Sequence, residues 1–276
     1  MKVYIMVDFE GIAGMIEWDN YYTDSPRALD KRIRMRRILT GEVNAAVEGV
    51  LKAAATEIVV WDSHGPSNNC NNFILEELRP EPWVIIGNKG LPSFYPTLDD
   101  SFDAGLYVGG HAMQGTEHAT LPHTVTVLNG KRYGEVGMFA AMCGFYGMPM
   151  VFVSGDQATV EEVQQVVPRV EYAVTKVAFG PYAAKTRTPA KARELIREGT
   201  ERALKRIPEI EPLKIDAPYV MGEGDAAKTS DSLAELIHER STRSGKTIGN
   251  TDLDPERTRH SERRREWQKA ESFLVP

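Results

Sequence analysis

Short apolar runs alternate with stretches of helical period over the first 180 residues, and this leaves few architectures open. Val3 to Val7, Glu57-Ile58-Val59-Val60-Trp61-Asp62, Trp83-Val84-Ile85-Ile86-Gly87, Ala104 to Gly110 and Met148 to Asp156 read as buried strands. Between the first two, residues 31–55 set Ile33, Ile38, Leu39, Val43, Val47, Val50 and Leu51 at helical spacing. Glu135 to Tyr146 reads as a helix, residues 158–167 as a helix closed by Pro168, and 172–178 as a strand. Thr188-Pro189 opens one more helix, over 189–206. Strands joined through helices must run parallel, because only a long crossover brings the chain back to the starting edge. The expected fold is α/β, a mostly parallel sheet with helices on both faces.

One segment departs from the alternation. His123 to Tyr133 carries a β-branched run followed by Asn129-Gly130, a hairpin turn signal. Asp19 to Asp30 is polar and loop-like. After Pro208 the character changes, with a proline-punctuated connector from Glu209 to Pro218. Residues 239–269 hold nine Lys or Arg against six Asp or Glu. The run Arg257 to Arg265 could bind phosphate, but its interleaved acids favour a solvated helix face or a loose tail. The chain therefore divides into residues 1–206 and a smaller α/β or irregular portion, 207–276.

With 42% hydrophobic and 26% charged residues the chain is globular, and a net charge of −6 argues against a nucleic-acid partner. Two scattered cysteines, Cys70 and Cys143, are too few for a disulfide framework or a thiolate zinc site. The start lacks signal-peptide features, and no apolar run approaches the ~20 residues that span a bilayer. A cytoplasmic location without membrane association is expected.

Asp8-Phe9-Glu10-Gly11 sits where the first strand runs out. Two carboxylates two residues apart on extended chain point to one side and repel, unless a cation lies between them. A solvated strand end gives the same pattern, so other ligands must come from elsewhere. His64 follows the strand ending at Asp62, and His111 follows Val108-Gly109-Gly110. Binding sites of open parallel sheets lie beyond the carboxyl ends of the strands, so three strands deliver these residues to one edge. Glu135, in Gly134-Glu135-Val136-Gly137, opens an apolar helix; it is either a fourth contributor or a first-turn acid favoured by the dipole. Two histidines and three carboxylates suit Zn²⁺, Mn²⁺ or Co²⁺ in a hydrolytic site. Five ligands exceed the need of one tetrahedral zinc, which implies two metals sharing a carboxylate from Asp8 or Glu10.

His123 lies midway between His111 and Glu135, at the end of a glycine-bearing loop. A neutral imidazole beside two metals suits proton transfer or nucleophilic attack; a strand-capping histidine is the plain alternative. His118, in mid-loop, is its rival.

The blocks Val7-Asp8-Phe9-Glu10-Gly11, Asp62-Ser63-His64, Gly110-His111-Ala112, Pro122-His123-Thr124 and Gly134-Glu135-Val136-Gly137 occur in that order. Together they resemble the zinc-dependent D-aminopeptidase family, peptidase family M55, also called dipeptide-transport-operon D-aminopeptidase. The likeness runs from residue 1 to about 206 and includes Ser154-Gly155-Asp156 and Thr188-Pro189-Ala190-Lys191. It implies a binuclear zinc site held by Asp8, Glu10, His64, His111 and Glu135, with His123 matching the family's catalytic histidine. That residue is usually taken as a nucleophile; general base or acid stays open. The implied activity is removal of N-terminal D-amino acids, D-Ala typically, from short peptides by a homo-oligomeric, decameric ring. The charged stretch 239–276 departs from the family's apolar C-terminal portion and bears on specificity and subunit contacts. Other readings are an amide hydrolase for an L-peptide, amino-acid amide or lactam, and a metal-bound oligomeric binding protein without catalysis.

Overall fold

The computed structural model describes residues 1–18, 25–65, 71–87, 91 and 93–238. The charged stretch 239–276 and the Arg257 to Arg265 run lie outside the described residues.

Eleven strands and four α-helices alternate along the described chain. They are β1 (Lys2–Val7), α1 (Pro26–Lys52), β2 (Glu57–Asp62), β3 (Trp83–Ile85), β4 (Ala104–Gly110), β5 (Thr126–Leu128) and β6 (Lys131–Tyr133). There follow α2 (Glu135–Phe145), β7 (Met150–Asp156), α3 (Gln157–Gln164), β8 (Glu171–Gly180), β9 (Ala183–Thr186), α4 (Pro189–Lys205), β10 (Tyr219–Met221) and β11 (Lys228–Ser230). Seven strands form one sheet in the order β3-β2-β1-β4-β7-β8-β9. All its pairs are parallel except β8 with β9. This is the mostly parallel, helix-flanked sheet expected from the alternation.

β1 lies in the middle and is buried from Val3 to Val7, as its unbroken apolar run requires. Its register pairs Val7 with both Asp62 and Val108, so β1 and β2 end level and β4 runs two residues further, to Gly110. α1 and α4 pack together through Gly49, where a Cβ would meet the Thr200 hydroxyl at 1.9 Å.

α1 begins five residues before the start expected from periodicity. Ser25 caps it, accepting from the Ala28 amide at 3.2 Å, and Pro26 takes the first turn. The polar character of residues 19–30 hid this start, because the first turns of α1 stay largely exposed. β9, β10 and β11 were not expected. The last two join the Asn129-Gly130 hairpin in a second, antiparallel sheet of order β11-β10-β5-β6. Both hairpin residues have positive φ, 48° and 74°, as the tight turn demands.

Candidate metal centre

The neighbouring carboxyl ends of β1, β2 and β4 bring Asp8, Glu10, His64 and His111 to one edge of the main sheet. Two glycines make the approach possible. A Cβ on Gly11 would sit 2.0 Å from the Gly110 carbonyl oxygen, and one on Gly109 would sit 2.2 Å from that of Asp8. Gly109 also has a φ of +78°. The backbones therefore meet directly, with the Gly11 amide donating to the Gly109 carbonyl at 2.8 Å and the Asp8 amide to Val108 at 2.9 Å.

The side chains converge in a buried cluster. His64 Nδ1 lies 2.9 Å from Asp8 Oδ1 and 3.0 Å from Glu10 Oε2. His111 Nε2 lies 3.3 Å from Asp8 Oδ2 and 3.7 Å from Glu135 Oε1. Glu135 is the first residue of α2, where the helix N-terminus favours its charge. His123 Nε2 stands 4.0 Å from Glu10 Oε1. Its ring stacks on His111 at 3.7 Å between centroids and meets the edge of Trp18 at 4.8 Å. All six residues singled out from the sequence thus come together, whereas His118 is exposed.

Two polar atoms in the cluster have no hydrogen-bond partner: Glu10 Oε2 and His111 Nε2. Glu10 Oε2 approaches His64 at 3.0 Å, but off the direction a hydrogen bond needs. Buried polar atoms left so are costly and call for an explanation.

The electrostatics are those of close, opposed charges. Burial would push Asp8 up, but the adjacent His111 and His64 imidazoles hold it well below the usual carboxylate range. Burial would push His64 down, yet the Glu10 charge and the Asp8 and Glu10 contacts hold it well above an ordinary imidazole. His111 is raised in the same way by Asp8 and Glu135, against burial. Glu135 is lowered, the proximity of the His111 imidazole overcoming burial.

Neighbouring side chains orient the cluster. Asp62, raised by burial, accepts from Asn72 Nδ2 at 2.9 Å, and that amide also donates to the His64 carbonyl. Asp156 caps α3 and accepts from the amide and hydroxyl of Thr120, at 2.6 and 2.8 Å, anchoring the loop that carries His123. Tyr107 donates to Asp8 Oδ2 at 3.3 Å. Nothing in the sequence marks Tyr107, which is one apolar-strand residue among seven in β4, or Trp18 against His123. Asp156 had a signal in Ser154-Gly155-Asp156 at a strand end.

A buried set of carboxylates and imidazoles at the carboxyl edge of a parallel sheet, with a further histidine alongside, defines a metal-dependent hydrolase. The family model for D-aminopeptidases, peptidase family M55, matches residues 1–252. A D-aminopeptidase of Bacillus subtilis (strain 168) is 33% identical over 219 residues, 77% of each chain. The solved structure of the Zn-dependent D-aminopeptidase DppA from Bacillus subtilis, described as a self-compartmentalizing protease, superposes with a TM-score of 0.79. It is 26% identical, and the match covers 92% of this chain and 100% of that one. The chain belongs to the D-aminopeptidase family, and it is an enzyme, a hydrolase of peptide bonds. Among the described residues no helix is long and apolar enough to cross a membrane.

Proposed function

We propose that this chain is a zinc-dependent D-aminopeptidase that removes N-terminal D-amino acids, D-alanine foremost, from short peptides or aminoacyl amides. The observation that carries the metal reading is the pair of buried, unpartnered atoms, Glu10 Oε2 and His111 Nε2. A cation would satisfy both. Two ions are supported by two ligand sets, Asp8 with Glu10 and His64, and Asp8 with His111 and Glu135, each with its donor atoms within 4.8 Å. Asp8 belongs to both and turns one oxygen to each imidazole, so it would be the ligand the two ions share. Imidazole and carboxylate donors without thiolate suit zinc, with Mn²⁺ or Co²⁺ as substitutes. The zinc dependence of the Bacillus subtilis relative supports the same choice.

Bound there, the ions would supply Lewis acidity to the scissile carbonyl and to the attacking water. His123 moves the proton. Its Nδ1 donates to the Leu121 carbonyl at 3.0 Å, which leaves the Nε2 lone pair facing the cluster. From there it takes a proton from the water and returns it to the departing amine. The His111 stack and the Trp18 edge fix the ring plane. His123 also falls in a third set within 4.8 Å, with Glu10 and His111, so metal content after its removal separates proton carrier from ligand.

The proposal extends to assembly and place. Residues 1–206 carry the site, and 207–276 form a smaller portion that meets substrate or neighbouring subunits. The relative's self-compartmentalizing character supports a homo-oligomer; a decameric ring in the cytoplasm is the form proposed for it. The deciding experiment couples metal analysis to a screen of D- and L-alanyl amides and dipeptides. D-alanyl substrates are turned over and chelation stops it. Turnover of L-alanyl substrates alone refutes the assignment.

A further inference from the structure

The loop that carries Glu10 is neither helix nor strand, yet its carbonyls are buried and need donors. Four of them end on two adjacent residues of β8. Thr175 Oγ1 donates to Gly11 at 2.6 Å. Lys176 Nζ donates to Glu10, to Ile12 at 2.9 Å and to Met15 at 2.7 Å. An ammonium has three protons, and all three are used. On the same loop, Glu42 of α1 accepts from the Ala13 amide at 2.9 Å, and Thr186 of β9 accepts from Gly14 at 2.9 Å.

Lys176 is 1% exposed. A buried ammonium is expensive unless every proton is bonded, and a lysine in a strand whose neighbours are Thr175 and Val177 has no packing need for its charge. What the charge serves is the loop. Of the three carbonyls it holds, that of Glu10 belongs to a residue whose carboxylate enters the cluster.

We propose that Lys176 is a positioning residue for the metal centre: it fixes the Glu10 peptide and so aims the Glu10 carboxylate at the ion shared with Asp8 and His64. This rests on the two-metal reading above. The second ligand set, Asp8, His111 and Glu135, receives none of the three protons. Removing the ammonium therefore weakens one site selectively, by about 10- to 100-fold, the usual cost of losing a group that orients a ligand.

The test is a zinc titration of chelator-stripped full-length protein, by calorimetry or against a competing indicator. The proteins are wild type, Lys176→Met, Glu10→Gln and the double variant. Wild type takes up two zinc ions. Lys176→Met weakens one of them by the stated factor and leaves the other unchanged. In the double variant the loss at that site is no greater than in Glu10→Gln alone, because both changes act through one carboxylate. Equal weakening of both sites, or losses that add, would mean a general structural role and overturns the proposal. If Lys176→Met does not fold by circular dichroism, Lys176→Gln replaces it; its amide is uncharged and ends one bond short of the Glu10 carbonyl, so the same single site should weaken, and unchanged zinc affinities overturn the proposal. If wild type takes up a single zinc, the two-metal reading fails. Lys176 is then judged on whether that one affinity falls.

Discussion

Zinc binding to this cluster must expel protons, and the number follows from the electrostatics. Without metal, His64 and His111 are both held charged well above an ordinary imidazole by Asp8, Glu10 and Glu135. A metal takes only the neutral ring, so each imidazole gives up a proton on loading. Loading both proposed sites between pH 6 and 7 should then release about two protons, and the overall affinity should rise about 100-fold per pH unit. In free energy that is about 1.4 kcal/mol per proton per unit. The stability of the metal-free protein runs the other way. The raised imidazoles stabilise it fully below their unfolded value of 6.5, and this is lost as pH rises through their folded values. Asp8 and Glu135 are lowered, so their contribution is present above 3.8 and 4.5 and is lost as pH falls through the folded values. The metal-free form is thus most stable in the mildly acidic range, where zinc binds more weakly than at neutral pH. Calorimetry of zinc binding at pH 6.5 in buffers of different ionisation enthalpy counts the protons. A count near zero would show that the imidazoles are already neutral and that the paired charges described above do not exist.

Other perturbations test separate parts. His123→Ala should lower kcat by about 10²- to 10⁴-fold and leave zinc content unchanged, the loss expected for a proton carrier; a fall in metal, read by atomic emission, would make His123 a ligand. Gly11→Ala puts a Cβ 2.0 Å from the Gly110 carbonyl, so the strand ends must part. A loss of about 3 kcal/mol in urea unfolding is expected, with weaker zinc uptake, and wild-type values for both would remove the argument from close approach. Burial raises Glu42 from 4.5 to about 7, against the Ala13 amide and the charges of Lys176 and Arg193. Its contribution is therefore full below 4.5 and fades as pH rises through about 7. Glu42→Gln, which keeps an acceptor for Ala13, should flatten the decline of stability over that window by up to about 3 kcal/mol; parallel pH profiles would contradict it.

The cluster could be read before the fold was seen because parallel strands share an exit edge. Asp8, Glu10, His64 and His111 each follow an apolar run, and topology alone brings such positions together. Glu135 was legible only by its place at a helix start. The helices α2 and α4 declared themselves by composition or by Thr188-Pro189. β9, β10 and β11 did not, because three or four residues of mixed polarity carry no period and are defined by what they pair with. Lys176 was illegible for a related reason: its partners lie more than 160 positions away, and within β8 it looks like an ordinary polar residue.

That separation has a consequence for how the enzyme comes to be. On the ribosome, every proposed ligand emerges before Lys176, and the last of them, Glu135, precedes it by the whole of β7 and α3. A nascent chain ending at residue 170 holds the complete donor set with a loop whose carbonyls have nowhere to go. On the proposed reading, full affinity at the Glu10 site would therefore arrive with the docking of β8 and not with the synthesis of its ligands.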